Sequence, residues 1–229
     1  MTNPKQNTKS ENTLTNPSIG KSASGNTIIG EYKFIEDFSP SSVTKICTPE
    51  TKEVKGQIIT VIDTVGLSDT DKKITDAQTQ IEKKLQRTNL DVFLLVIKLG
   101  EAFTKEKREA VKWIQENFGA NILKHTIVLF THRDALTVPI EKYLSESETL
   151  RSVVDQCSGG YHVFNNKENA RSQVTELLEK INTLRVKNNY RRYTDFKKNN
   201  YEYALKNVFC ILFASKCLTF DYKMFVKLV

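Results

Sequence analysis

TNPSIGKSASGNTIIG, residues 15–30, contains Gly20-Lys21-Ser22, the closing half of a phosphate-binding loop. In the full pattern, GxxxxGKS, backbone N–H groups and a lysine cradle phosphates while the hydroxyl serves Mg²⁺. The first glycine of that pattern would fall on Thr15. The segment before it, KQNTKSENTL (5–14), has one apolar residue, Leu14, where a buried strand needs several. Three residues prove little by themselves, so their weight depends on the motifs further along the chain.

Three apolar runs beyond them read as buried strands: QIITVID (57–63), DVFLLVI (91–97) and HTIVLFT (125–131). YHVF (161–164) is a shorter fourth. They are rich in β-branched residues and fenced by polar ones. Between them the apolar spacing turns helical. Residues 74–87 carry Ile74, Ala77, Ile81 and Leu85, and residues 104–118 carry Ala110, Val111, Ile114 and Phe118. In the second of these, Thr104 stands in the N-cap region and Gly119 is a stop signal. A further helix is expected over 172–186, with Val174, Leu177, Leu178, Ile181 and Leu184 on one face. Strands alternating with helices argue for an α/β fold with a mostly parallel sheet flanked by helices. In such sheets ligands sit beyond the carboxyl ends of the strands.

Those ends carry candidate chemistry. After the first run comes Asp63-Thr64-Val65-Gly66. Such an aspartate can hold the water shell of Mg²⁺, and a glycine three residues on lets a backbone N–H approach a terminal phosphate. After the third comes Thr131-His132-Arg133-Asp134. A carboxylate there accepts two hydrogen bonds from the N1–H and N2–H₂ edge of guanine, which adenine cannot supply; the bland reading of Asp134 is a helix N-cap. After YHVF comes Asn165-Asn166, and an asparagine at a strand end is more often a turn former than a base contact. Upstream, Lys21 and Ala23 flank Ser22 on the phosphate segment, and Thr44 in SSVTKIC offers a second hydroxyl to a metal. Each part is weak alone, but together they fall in the order of a GTPase site, each after the right strand.

The 229 residues suit one domain plus extensions, and 39% apolar with 27% charged content is that of a folded soluble protein. The N-terminal MTNPKQNTKSENTLTNPS lacks an apolar stretch, so a cytoplasmic and not a secreted protein is expected. Cys47, Cys157, Cys210 and Cys217 show no CxxC spacing and read as thiols, not metal ligands. The net charge of +7 lies in the tail: from Arg185 onward there are ten basic against three acidic residues, and the rest of the chain is neutral. NVFCILFA (207–214) is apolar for eight residues only, too short to span a bilayer. The expected organisation is a disordered segment 1–18, a globular domain 19–186 and a basic extension 187–229.

On these motifs the chain resembles the immunity-associated nucleotide-binding GTPases, the GIMAP group with the AIG-type G domain. The resemblance runs from about Gly20 to Arg185, and its most specific part is DVFLLVIKLGEAFTKEKREAVKWIQENFG (91–119). GKSASGNTIIG, SSVTKIC, VIDTVGLSDT, YHVFNNK and RSQVTELLEKI are similar as well. The resemblance implies a Ras-like P-loop G domain that binds GTP or GDP with Mg²⁺ and assembles with itself or with relatives in the GTP state. It also implies association with intracellular membrane surfaces through C-terminal extensions. By position, Gly20, Lys21 and Ala23 belong to the phosphate segment, with Ser22, Thr44 and Asp63 around Mg²⁺. Gly66 would meet the γ-phosphate, Thr131, His132 and Asp134 the guanine, and Asn165 would help enclose the base.

The departures set further expectations. The strand that leads into the phosphate loop, central in a G domain, is missing from the pattern, which should leave its two neighbours unpaired. The chain is read either as an incomplete or alternatively spliced version of a normal gene or as a variant that has lost strong nucleotide binding. Poor GTP binding and marginal folding are expected. Leu67 stands where Ras-type enzymes place a water-orienting glutamine, so any hydrolysis should be slow. Val65 replaces the family's usual proline. The C-terminal extension is expected to be helical, and its RRYTDFKKNNYEY stretch is not expected to serve nucleic acid. The alternative function is a nucleotide-deficient protein that pairs with intact relatives.

Overall fold

In the computed structural model the described residues are 20–34, 49–63, 90–168, 170–193 and 224–228. They form a six-stranded sheet with helices on both faces. The chain runs through α1 (Lys21–Ile29), β1 (Pro49–Val54), β2 (Gln57–Asp63), β3 (Val92–Lys98) and α2 (Lys105–Phe118). A 3₁₀ turn, Ala120–His125, leads into β4 (Thr126–Thr131), and another, Arg133–Ala135, comes after it. Then come α3 (Ile140–Ser145), α4 (Glu148–Gln156), β5 (Tyr161–Val163), α5 (Arg171–Lys187) and β6 (Met224–Leu228).

The four expected strands are present within a residue of their expected bounds, as are the helices expected over 104–118 and 172–186. The helix expected over 74–87 lies outside the described residues. Sheet order is β1-β2-β6-β3-β4-β5. β3, β4 and β5 pair in parallel, and β2 runs their way because β2 and β3 are both antiparallel to β6. Four strands therefore end on one edge.

Strand periodicity divides the core. Val92, Leu94 and Val96 of β3 face one way, with Ile127 and Leu129 of β4, Ile28 and Ile29 of α1, and Leu177, Leu178 and Ile181 of α5. Phe93, Leu95 and Ile97 face the other, with Val111, Ile114 and Phe118 of α2 and Val153 and Val154 of α4. Because helices cover both faces, both sets are buried, and β3 reads as one unbroken apolar run.

β1, not anticipated from PETKEV, is a solvent-exposed edge strand joined to β2 by a two-residue turn. Lys55 and Gly56 have φ of 51° and 73°, as a tight hairpin with matching twist demands. Gly119 closes α2 with φ 94°, as expected, whereas Thr104 occupies its N-cap position without a side-chain bond. α3 and α4 were also not anticipated, and α4 is capped by Ser147, whose Oγ accepts from the Leu150 N–H at 3.3 Å.

The expectation of two unpaired central strands is corrected. β6 lies between β2 and β3 and pairs with both, so the chain's C-terminal segment closes the sheet. Of the extension expected to be helical, the described residues hold the end of α5, a bridge from Tyr193 to Leu90, and this strand. Tyr193 is 2% exposed and stands edge-on to Phe93 at 5.1 Å. Beside it Arg185 and Arg192 approach buried Asp91 at 3.4 and 3.7 Å, which ties the base of α5 to the start of β3.

Candidate functional site

α1 begins at the edge where the four like-directed strands end. Its N-cap, Gly20, has φ 83°, a left-handed conformation that strains other residues. A side chain would also fit tightly: a Cβ would lie 3.2 Å from Asn166 Nδ2 and 3.4 Å from Thr131 Cβ. Lys21 is 9% exposed at the first position of the helix, with Ser22 and Ala23 half-buried behind it. Helix N-termini present unpaired N–H groups and a positive dipole end, which favours anions.

Asp63 is the last residue of β2, on the same edge. Thr131, fully buried, ends β4, and its carbonyl accepts from the Leu99 N–H at 3.1 Å. His132 takes a left-handed turn (φ 61°) with Nδ1 3.0 Å from Thr131 Oγ1. Burial first, then the nearby Lys98 ammonium, lowers its imidazole below the ordinary value. Asp134 sits inside the next turn, so the N-cap position belongs to His132 and not to Asp134. Thr44 and Gly66 lie outside the described residues.

A cleft of about 530 Å³ opens here, lined among others by Gly20, Thr27, His132, Asp134, Asn165 and Arg171. Sites for small ligands typically occupy roughly 300–1,000 Å³. Asp134 is on its wall, and one carboxylate oxygen accepts from Lys167 Nζ at 2.6 Å. That hydrogen bond holds the Asp134 carboxyl below its usual range. The acceptor is therefore ionised at neutral pH, with an exposed lysine on one oxygen.

Asn165 is used locally. Its Oδ1 accepts from the Lys167 N–H at 3.2 Å and its Nδ2 donates to Glu168 at 2.7 Å, the geometry of a turn former. The neighbouring Asn166 makes the longer-range links. Its Oδ1 accepts from Thr27 Oγ1 at 2.9 Å, and its Nδ2 donates to Ser24 Oγ at 3.0 Å and to the Gly20 carbonyl at 3.4 Å. One side chain thus fastens α1 to the loop after β5. Arg171 completes the fastening by donating to the Thr27 carbonyl at 2.7 Å near the end of α1. Asn26 pins the chain beyond that helix, accepting from the N–H groups of Lys33 and Phe34. Asn166, Lys167 and Arg171 were not singled out from sequence. The only hint was the Asn165-Asn166 doublet.

Lys98, at the end of β3, and Lys107 both reach Glu101, at 2.9 and 3.2 Å. Burial opposes ionisation of Glu101, but the two ammonium groups outweigh it and hold the carboxyl low. Among the described residues no group of three or more His, Cys, Asp or Glu is arranged to hold a metal. Cys157 is a free, buried thiol whose pKa burial pushes up to about 12, consistent with an inert packing role.

Known proteins resemble this chain in sequence and in fold. The model of the AIG1 family matches residues 16–209. The chain belongs to the AIG1 family. It is 35% identical over 185 residues to the human GTPase IMAP family member 8, covering 78% of this chain and 28% of that protein. It is 32% identical over 176 residues to the immune-associated nucleotide-binding protein 12 of Arabidopsis thaliana, covering 72% of this chain and 45% of that one. The AIG1-family chain thus spans between a quarter and a half of the length of these relatives. Its fold is similar to Toc33 of Arabidopsis thaliana solved with GDP and Mg²⁺, with a TM-score of 0.57 at 21% identity, covering 77% of this chain and 82% of that one. A dimerization-deficient mutant of the same protein matches with a TM-score of 0.56 at 20% identity, covering 73% and 80%. The fold class is thereby that of a G domain, as the sequence led one to expect.

Proposed function

We propose that this chain is a guanine-nucleotide-binding switch, with its ligand in the cleft between α1 and the loops after β4 and β5. The observation that carries the reading is the convergence of Gly20, Lys21, Ser22, Asp63, Thr131, His132, Asp134 and Asn165 on one sheet edge beside a ligand-sized cleft. The N–H groups at the start of α1 and the Lys21 ammonium would take phosphate oxygens. Ser22 and Asp63, with Thr44, would hold Mg²⁺, which neutralises phosphate charge when bound. Asp134 would accept the guanine N1–H and N2–H₂ once Lys167 swings from its oxygen. Asn165 would border the base, and Gly66 would meet the last phosphate. The relatives named for nucleotide binding and the Toc33 structure holding GDP and Mg²⁺ support this reading. In Toc33 dimerization is important for GTPase activity, which supports assembly as the output of the switch. Hydrolysis is slow in this reading because Leu67 cannot orient water.

The second reading, a nucleotide-deficient partner of intact relatives, is favoured by one observation. Asp134 and Asn165 are already engaged, with Lys167 and Glu168. Titration of the purified chain with a fluorescent GTP analogue separates the two. Because Thr15 replaces the loop's first glycine, the expected Kd is weaker than about 1 μM, or less than about 8 kcal/mol of binding free energy. Lys21→Ala and Asp134→Asn should each weaken binding about 10- to 100-fold, as loss of a hydrogen bond to a charged group does. Lys167→Ala should strengthen it by releasing the acceptor. No saturable signal with any chain, Lys167→Ala included, leaves the nucleotide-deficient reading standing.

A further inference from the structure

The centre of the sheet is filled from the far end of the chain. α1 leaves the ligand edge at Gly20, and its Ile28 and Ile29 pack in one cluster with Val61, Val92 and Leu94. A strand of this sheet feeding α1 would have to reach Gly20 with its carboxyl end, parallel to β3. β6 runs the other way. Met224 is paired with Asp63 and Leu94 at the ligand edge, and Leu228 with Ile59 at the opposite one. Chain direction thus excludes β6 as a lead into the phosphate segment, yet it occupies the place between β2 and β3.

Register suits the occupant to the slot. Phe225 pairs with Ile62 and Phe93, both in the core beneath α2. Val226 pairs with Val61 and Val92, and Leu228 with Ile59, and these three partners belong to the core beneath α1 and α5. Lys227 pairs with Thr60, which is only half-buried, and lies past the start of the β3 ladder at Val92. Backbone groups of Ile59–Asp63 and Val92–Leu94 hold the strand from two sides. Left open, the same groups would form two facing edges in the middle of the molecule, and burying them unpaired is costly.

We propose that the space between β2 and β3 is a strand-acceptor site whose ligand is an extended apolar peptide, supplied in this chain by its own C-terminal strand, Met224–Leu228. Recognition is by main-chain ladders on both sides, the five residues pairing with Ile59–Asp63 along one edge and with Val92–Leu94 along the other. The occupant is joined to the body through residues 194–223 and not through the phosphate segment. Sheet completion and the phosphate segment therefore belong to opposite ends of the chain. The inference stands independently of the nucleotide reading.

Hydrogen exchange on the full chain and on Val226→Pro tests it, since proline removes a ladder donor and is excluded from central strands. Exchange at residues 59–62 and 92–94 should quicken at least about tenfold in the variant, while 128–130 in β4 stay protected. A chain ending at Lys223 should behave alike, and an added acetylated peptide of sequence KMFVKLV, but not a scrambled one, should restore protection. Unaltered exchange in Val226→Pro, or no rescue by the peptide, would overturn the proposal. Should the shortened chain fail to fold, a full chain with Thr60→Cys and Lys227→Cys decides. Oxidation should give a mapped intramolecular link between those positions, absent when Met224→Cys replaces Lys227→Cys. A link found only between two copies overturns supply by the chain's own strand.

Discussion

At the scale of single residues, the site was legible where a residue type has one physical use and obscure where it has several. Gly20 is such a readable case, since glycine takes its left-handed φ and tight surroundings with the least strain. Asn165 and Asn166 were indistinguishable in sequence. Which one turns the loop and which one grips α1 depends on where Thr27 and Ser24 lie. Gly25 was not singled out at all, yet it makes a sharp claim. A Cβ there would sit 2.7 Å from Phe34 Cδ2 and 2.8 Å from Cε2, with that ring 6% exposed. Alanine gains about 1 kcal/mol in helix propensity, and overpacking costs about 1–3 kcal/mol. Gly25→Ala is therefore expected to lower the melting temperature in a circular-dichroism scan. A rise would mean that the Phe34 ring does not pack against α1.

At the scale of elements, periodicity found what is buried and missed what is exposed or short. β3 and β4 announced themselves because helices cover both of their faces. β1 did not, because five of its six residues lie at an exposed or half-exposed edge, and these are a proline and four polar residues of the kind that protect such an edge. α4 was missed for its nine residues, but it has a local device, the Ser147 cap. Ser147→Ala should cost about 1 kcal/mol. Urea unfolding would show this as a lower midpoint with an unchanged slope. Restoration by Ser147→Asp would assign the loss to the cap, whereas an undiminished midpoint in the alanine variant would remove the cap from the account.

At the scale of the whole molecule, folding sets the charge state of a buried histidine. His162 in β5 is 5% exposed and its Nε2–H donates to the Gln173 carbonyl of α5 at 2.8 Å. Burial above all holds its imidazole below the ordinary value of about 6.5. The unfolded chain therefore takes up the proton first as pH falls. The stabilisation is complete above about pH 6.5 and is lost below it, by at most about 1.4 kcal/mol per pH unit. Urea midpoints should accordingly drop between pH 7.5 and 5.5 in the native chain and drop less in His162→Gln; equal drops would mean that His162 is not the group concerned. Sequence alone determined the alternation of buried strands and amphipathic helices, the motifs at the strand ends and the family, because each of these is written in local spacing. Tertiary structure decided that Met224–Leu228 fills the slot between β2 and β3, that Asn166 and Arg171 anchor α1, and that Lys167 lies on Asp134. The physical reason is common to all three. Ladder pairing and hydrogen bonding join residues far apart in the chain, and local pattern specifies the groups on offer but not the partner that folding brings to them.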